Sequence, residues 1–135
     1  MRTKLNSILL VDDDPDDNYF HQIIINKMNM VNQIDIANNG IEAIAYLKNE
    51  NIKPPDLLFL DLNMPKMNGW EFLEEYKKLS IAQKAKVVIL ILTTSANPDD
   101  VKRAKEIQDV TGFETKPLSE EMLANILQQH FQDYL

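Results

Sequence analysis

The stretch "PPDLLFLDLNMPKMNGWEFL", Pro54 to Leu73, decides how this chain reads. Within it Leu57-Leu58-Phe59-Leu60 is an unbroken apolar run, bounded by Pro54-Pro55 and by Asn63-Met64-Pro65. That is the pattern of a short strand buried on both faces. The run ends in Asp61. A buried carboxylate without a partner is costly, and in open α/β sheets ligands bind at the carboxyl ends of the strands. Asp61 is therefore the candidate working residue, and the rest of the chain has to supply its partners.

On the N-terminal side, Ser7-Ile8-Leu9-Leu10-Val11 is a second apolar run, closed abruptly by Asp12-Asp13-Asp14-Pro15-Asp16-Asp17. Asp14 followed by Pro15 is a helix start, with an N-cap acceptor and proline at the first helical position. Phe20, Ile23, Ile24 and Met28 predict the apolar face of that helix. Asp16 and Asp17 fall in its first turn, where the helix dipole favours anions, and a capping role is expected of them. Asp12 and Asp13 lie at the strand end, outside that account. A turn over residues 29–33 leads to a less apolar edge strand, Ile34 to Ala37, then a turn at Asn38-Asn39-Gly40 and a helix marked by Ile41, Ile44, Ala45 and Lys48.

On the C-terminal side, Gly69 opens a third helix carrying Trp70, Leu73, Tyr76 and Leu79. Ala85-Lys86 feeds Val87 to Leu92, the most β-branched run of the chain and a buried strand. It ends in Thr93-Thr94-Ser95. Asn97-Pro98 opens a fourth helix with Val101, Ala104 and Ile107 on one face. Gly112 to Thr115 is a fifth strand, stopped by Lys116-Pro117. Ser119 caps a last helix striped by Met122, Leu123, Ile126, Leu127, His130 and Phe131.

Strand and helix thus alternate five times, the order of a parallel sheet wound with helices on both faces. The length of 135 residues suits one domain, expected over 1–135 with a core from about residue 6 to 134 and no output domain. No cysteine is present, so disulfides and thiolate metal sites are excluded. The net charge of −7 argues against a nucleic-acid surface. No apolar run approaches a membrane span and no secretory signal is evident, so a cytoplasmic protein without membrane contact is expected.

Right-handed crossovers bring the carboxyl ends of parallel strands to one edge. In a flavodoxin-like (βα)5 sheet, order 2-1-3-4-5, the first and third strands are neighbours at the switch point. Asp12 and Asp13, Asp61, the Thr93-Thr94 pair and Lys116 would then face one crevice. Two carboxylates about 4 Å apart repel by roughly 4 kcal/mol at the effective dielectric of a partly exposed site. A hard divalent cation relieves that repulsion, and Mg²⁺ takes one or two carboxylates together with phosphate oxygens. Nucleophilic carboxylate, metal, lysine and hydroxyl together describe a site that phosphorylates an aspartate.

The sequence resembles a response-regulator receiver domain of two-component signalling over essentially its whole length. The motifs that carry the resemblance are "ILLVDDD", "LFLDLNMPKMNGWEFL", "ILTTS" and "ETKPL", in this order and spacing. The resemblance implies that Asp61 is the phosphoacceptor and that Asp12, Asp13, Asp61 and the Asn63 backbone carbonyl hold Mg²⁺, with Mn²⁺ as a substitute. It implies that Thr93 is the switch hydroxyl with the Thr94 amide beside it, that Lys116 pairs with Asp61 or its phosphate before a cis Pro117, and that Phe113 is the switch aromatic. Asn63 and Ser95 would flank the path of attacking water.

Two features depart from the commoner family pattern. "LTTS" replaces a threonine-alanine pair; counting forward to Val101 favours Thr93 as the switch, and counting back from Lys116 favours Thr94. An additional residue within "IQDVTGF" reconciles the two counts. Phe113 also lacks a phenolic hydroxyl.

The expected function is a phosphoacceptor that takes its phosphoryl group from a sensor histidine kinase or a histidine phosphotransfer protein and signals to a downstream protein, as a monomer or weak dimer. It would lose the group by hydrolysis or onward transfer and is not a turnover enzyme. Two other classes are weighed. A haloacid-dehalogenase-like phosphohydrolase needs a later acidic pair, and nothing suitable follows Lys116. A receiver-like binding scaffold that is never phosphorylated usually lacks an acid or the lysine, and here all are present. A calcium loop fails because Asp17 stands where glycine is needed. His21 and His130 are read as structural or surface residues, Trp70 as packing near the site mouth, and the methionines as core filler.

Overall fold

The computed structural model describes residues 4–84, 87–94 and 97–132. Its elements are β1 (Leu5–Val11), α1 (Pro15–Met28), β2 (Val31–Ala37), α2 (Gly40–Lys48), β3 (Leu57–Leu60), α3 (Gly69–Lys77), α4 (Ile81–Lys84), β4 (Val88–Thr93), α5 (Pro98–Lys105), β5 (Val110–Thr115) and α6 (Glu120–His130). All strands are parallel, in the order β2-β1-β3-β4-β5.

Alternation along the central strands splits the core into two layers. Leu9, Val11, Leu58, Leu60, Ile89 and Ile91 join Ala43, Ile44 and Leu47 of α2, Phe72, Leu73 and Tyr76 of α3, and Ala104 of α5. Ile8, Leu10, Leu57, Phe59, Leu90 and Leu92 instead meet Ile25 of α1 and Leu123, Ile126 and Leu127 of α6. Every residue of β3 is buried, because helices cover both of its faces. Each such aliphatic side chain contributes about 1.5–3 kcal/mol by leaving water.

The fold agrees with the doubly wound expectation, and the differences lie at element edges and helix phases. β2 begins at Val31, not Ile34, because its ladder with β1 already runs from Leu5↔Val31. β5 likewise starts at Val110. The expected α1 face holds in part: Ile24 and Met28 pack against the core, Phe20 and Ile23 are exposed, and Asn18, His21 and Ile25 face inward. On α2, Ile41 and Ala45 are exposed while Ala43 and Leu47 are buried. Leu79 and Ile107 fall just beyond the helices they were expected to mark. The short helix α4 was not anticipated; Ser80 and Gln83 close it reciprocally, side chain to backbone. Ala85, Lys86 and Ser95 lie outside the described residues.

Candidate functional site

Four strand ends meet at one edge of the sheet. Val11 is in register with both Ala37 and Leu60, Leu60 with Ile91, and Thr93 with Thr115. Beyond the strands the pairing continues for one more residue: Asp12 N–H donates to Ala37 O at 3.0 Å, Asp61 N–H to Val11 O at 2.9 Å, and Lys116 N–H to Thr93 O at 2.7 Å. Asp12, Asp61 and Lys116 are therefore carried on backbone as rigid as the sheet itself. The Lys116-Pro117 bond is cis.

The crevice above them is lined by Asp12, Asp13, Asp14, Asp17, Asp61, Asn63, Thr94 and Lys116, with a volume of about 420 Å³. Asp12, Asp13 and Asp61 each offer a carboxylate oxygen, all within 4.8 Å of one another. Asp12 and Asp61 are buried, and Asp13 is exposed. An all-oxygen set of this kind suits a hard divalent cation. Burial, then the neighbouring Asp12 charge, push the Asp61 carboxyl from 3.8 up to about 6, against the opposing pull of Lys116 and the Asn63 backbone amide.

Lys116 pairs with Asp61, as expected, and lies closer still to two other carboxylates. Its Nζ donates to Asp12 Oδ2 and to Asp17 Oδ2, each at 2.7 Å, and lies 3.8 Å from Asp61 Oδ1. Burial alone would lower its ammonium, but the hydrogen bonds to Asp12 and Asp17 outweigh that and hold it above the usual lysine range. Asp17 is thus more than a first-turn anion. The capping of α1 is done by Asp14, whose Oδ1 accepts from the N–H groups of Asp16 and Asp17.

Asp12 is locked on three sides. Its Oδ1 accepts from Asp14 N–H at 3.0 Å, its Oδ2 from Lys116, and its backbone oxygen from Asn18 Nδ2 at 2.9 Å. Asn18 and the buried His21 stand behind Asp12 and Asp61, lining a void just large enough for one water. Burial, then the Lys116 charge, lower the His21 imidazole and favour its neutral form. Asp17 escapes sequence reasoning as a site residue because its partner Lys116 lies 99 residues away, and Asn18 and His21 because these polar residues take inward positions on α1.

The two threonines are placed unequally. Thr93 is buried as the last residue of β4, and Thr94 is exposed and lines the crevice. The β4–β5 register slips by one residue, from Ile89↔Val110 to Leu90↔Gly112, leaving Thr111 as an extra residue. The bulge falls inside the segment "IQDVTGF". Phe113 is half-buried on β5 and lines a groove with Val101 and Ala104 of α5. Trp70 is half-buried at the start of α3, against the core. His130 is half-buried at the end of α6, and Ser95 lies outside the described residues.

A sequence model of the response regulator receiver domain matches residues 8–128. The chain belongs to the response regulator receiver domain family. This receiver is 36% identical to the response regulator Rcp1 of Synechocystis sp. over 104 residues, 74% of this chain and 69% of that one. It superposes on a two component response regulator from Cytophaga hutchinsonii with a TM-score of 0.88 at 30% identity, covering 96% of this chain and 99% of the other. On the Mn²⁺-bound form of the response regulator Rcp1 the TM-score is 0.70 at 32% identity, covering 92% and 90%. The receiver is a phosphoacceptor of two-component signalling, and the phosphohydrolase and scaffold readings are not favoured. Receivers bind a divalent metal, and the acidic cluster fits one. Among the described residues no helix is long and apolar enough to cross a membrane.

Proposed function

We propose that Asp61 is the phosphoacceptor and that the crevice around it is a Mg²⁺-dependent site served by a partner phosphohistidine. The observation that carries the reading is a buried carboxylate at the end of β3, flanked by two further carboxylates within 4.8 Å and by a lysine at 3.8 Å. An Asp61 oxygen attacks the phosphorus of the phosphohistidine. The new O–P bond forms as the N–P bond breaks, and the imidazole nitrogen keeps the electron pair and later takes a proton. Asp12, Asp13, Asp61 and the Asn63 backbone carbonyl are the proposed metal ligands. Magnesium, when bound, would neutralise charge on the transferring phosphoryl oxygens, and the similar response regulator Rcp1 has been solved in a Mn²⁺-bound form.

Lys116 supplies a fixed positive charge to the same oxygens. Thr93 is the proposed switch hydroxyl, with the Thr94 amide beside it, and Phe113 the aromatic that answers its movement. The resulting shift in population changes the surface formed by α5, β5 and α6, through which a downstream protein is contacted. Water then attacks the phosphorus, releasing inorganic phosphate and restoring the Asp61 carboxylate. The donor is a sensor histidine kinase or a histidine phosphotransfer protein, and the setting is the cytoplasm.

Acetyl phosphate with Mg²⁺ tests the assignment. The wild-type protein is expected to gain one acyl phosphate, labile to hydroxylamine, and Asp61→Asn none; label on Asp61→Asn would sink it. In the same assay, Thr93→Ala should take up label yet lose most of the amide shifts that beryllofluoride induces, and Thr94→Ala should keep them. The reverse pattern would assign the switch to Thr94.

A further inference from the structure

Among the described residues, the acidic cluster is Asp12, Asp13 and Asp61, and Asp17 stands outside it. Yet Asp17 Oδ2 meets Lys116 Nζ at 2.7 Å, as close as Asp12 does. A first-turn acid serving only the helix dipole has no need of a contact 99 residues away in sequence. Its neighbour Asp16 is exposed in the same turn.

An ammonium carries three hydrogens and no acceptor. Two are committed here, to Asp12 and Asp17, and Asp61 Oδ1 at 3.8 Å is too far to take the third as a hydrogen bond. A phosphoryl group on Asp61 would bring an oxygen acceptor into that gap. Asp12 is a poor sole anchor for the lysine, because its other oxygen already accepts from Asp14 N–H and its charge is shared once it binds a cation. Asp17 keeps its charge for Lys116.

We propose that Asp17 is a positioning residue for phosphoryl transfer, anchoring Lys116 beside Asp61 so that the third ammonium hydrogen is kept for the phosphoryl oxygen. The inference rests on the reading of Asp61 as the acceptor. Lys116 stays protonated throughout and moves no proton. Asp17 acts through the lysine and does not touch the reacting atoms.

The test compares Asp17→Asn with Asp16→Asn, which makes the same charge change in the same turn. Two quantities are read with Mg²⁺ saturating: the initial rate of labelling by acetyl phosphate, and the Lys116 side-chain ¹⁵Nζ resonance. Asp17→Asn is expected to label about ten-fold more slowly with the Lys116 resonance displaced, and Asp16→Asn to stay within about two-fold with it unmoved. A wild-type rate in Asp17→Asn, a slowed rate with Lys116 unmoved, or equal slowing in both variants would each overturn the proposal. A wild-type protein that takes no phosphoryl group would instead remove the reading of Asp61.

Discussion

The guanidinium carbon of Arg103 lies 4.3 Å from the centre of the Trp70 ring. This contact ties α5 to the first turn of α3. That turn is joined to the site in turn, since Gly69 N–H donates to Leu62 O at 3.0 Å, one residue past Asp61. A cation over an indole at a half-exposed position contributes about 0.5–1 kcal/mol, enough to bias a helix without fixing it.

Trp70 is the only tryptophan in the chain, so its emission reports on this clasp. Beryllofluoride with Mg²⁺ is expected to change that emission, and Arg103→Ala to remove at least half of the change while costing no more than about 1 kcal/mol in urea unfolding. An undiminished response in Arg103→Ala would show that Trp70 senses the site by another route.

The raised carboxyl of Asp61 has a consequence for stability. In the metal-free protein its value of about 6 lies above the ordinary 3.8, so between those values the native state holds more proton than the unfolded chain. Asp61's contribution is therefore most favourable below pH 3.8 and is lost as pH rises through about 6. Asp61→Asn should be more stable than wild type at pH 7 by about 1–3 kcal/mol in EDTA, with the gap closing toward pH 4. Mg²⁺ should narrow it at pH 7. Denaturant midpoints at the two pH values measure this, and equal midpoints throughout would contradict it.

Gly69 is required by close approach. A Cβ there would lie 2.7 Å from Asp61 O and 2.8 Å from Leu62 Cα, both backbone atoms that cannot step aside. Gly69→Ala is expected to cost about 1–3 kcal/mol and to slow labelling, because the displaced backbone carries Asp61. At Gly40 the nearest atoms belong to the Met67 side chain, whose Cγ and Sδ can rotate away, leaving its Cβ at 2.9 Å as the fixed contact. Gly40→Ala should cost less and leave the labelling rate near wild type. Urea unfolding of the pair, with equal losses, would contradict the distinction.

Much of the site was legible because its members close apolar runs. Asp12, Asp61 and Lys116 each follow a strand directly, and once the strands are parallel their ends must share an edge. Helix starts were equally legible: Asp14, Asn97 and Ser119 cap the helices they were expected to cap. Helix phase was legible on α3 and α6, whose Leu73, Tyr76, Leu123, Ile126 and Leu127 are buried as expected. On α1 it was legible only in part, because Asn18 and His21 take inward positions while Phe20 and Ile23 are exposed.

Local pattern in the sequence by itself determined the alternation of five strands with helices and the edge of the sheet that carries Asp12, Asp61 and Lys116. Apolar runs, caps and prolines act over a few residues, and their signals survive in one dimension. Only the tertiary structure decided that Lys116 rests closest to Asp12 and Asp17 while still pairing with Asp61, and that Thr94 lines the crevice while Thr93 is buried. Those outcomes depend on a few ångströms of register and on charges brought together across the length of the chain. No local pattern encodes them.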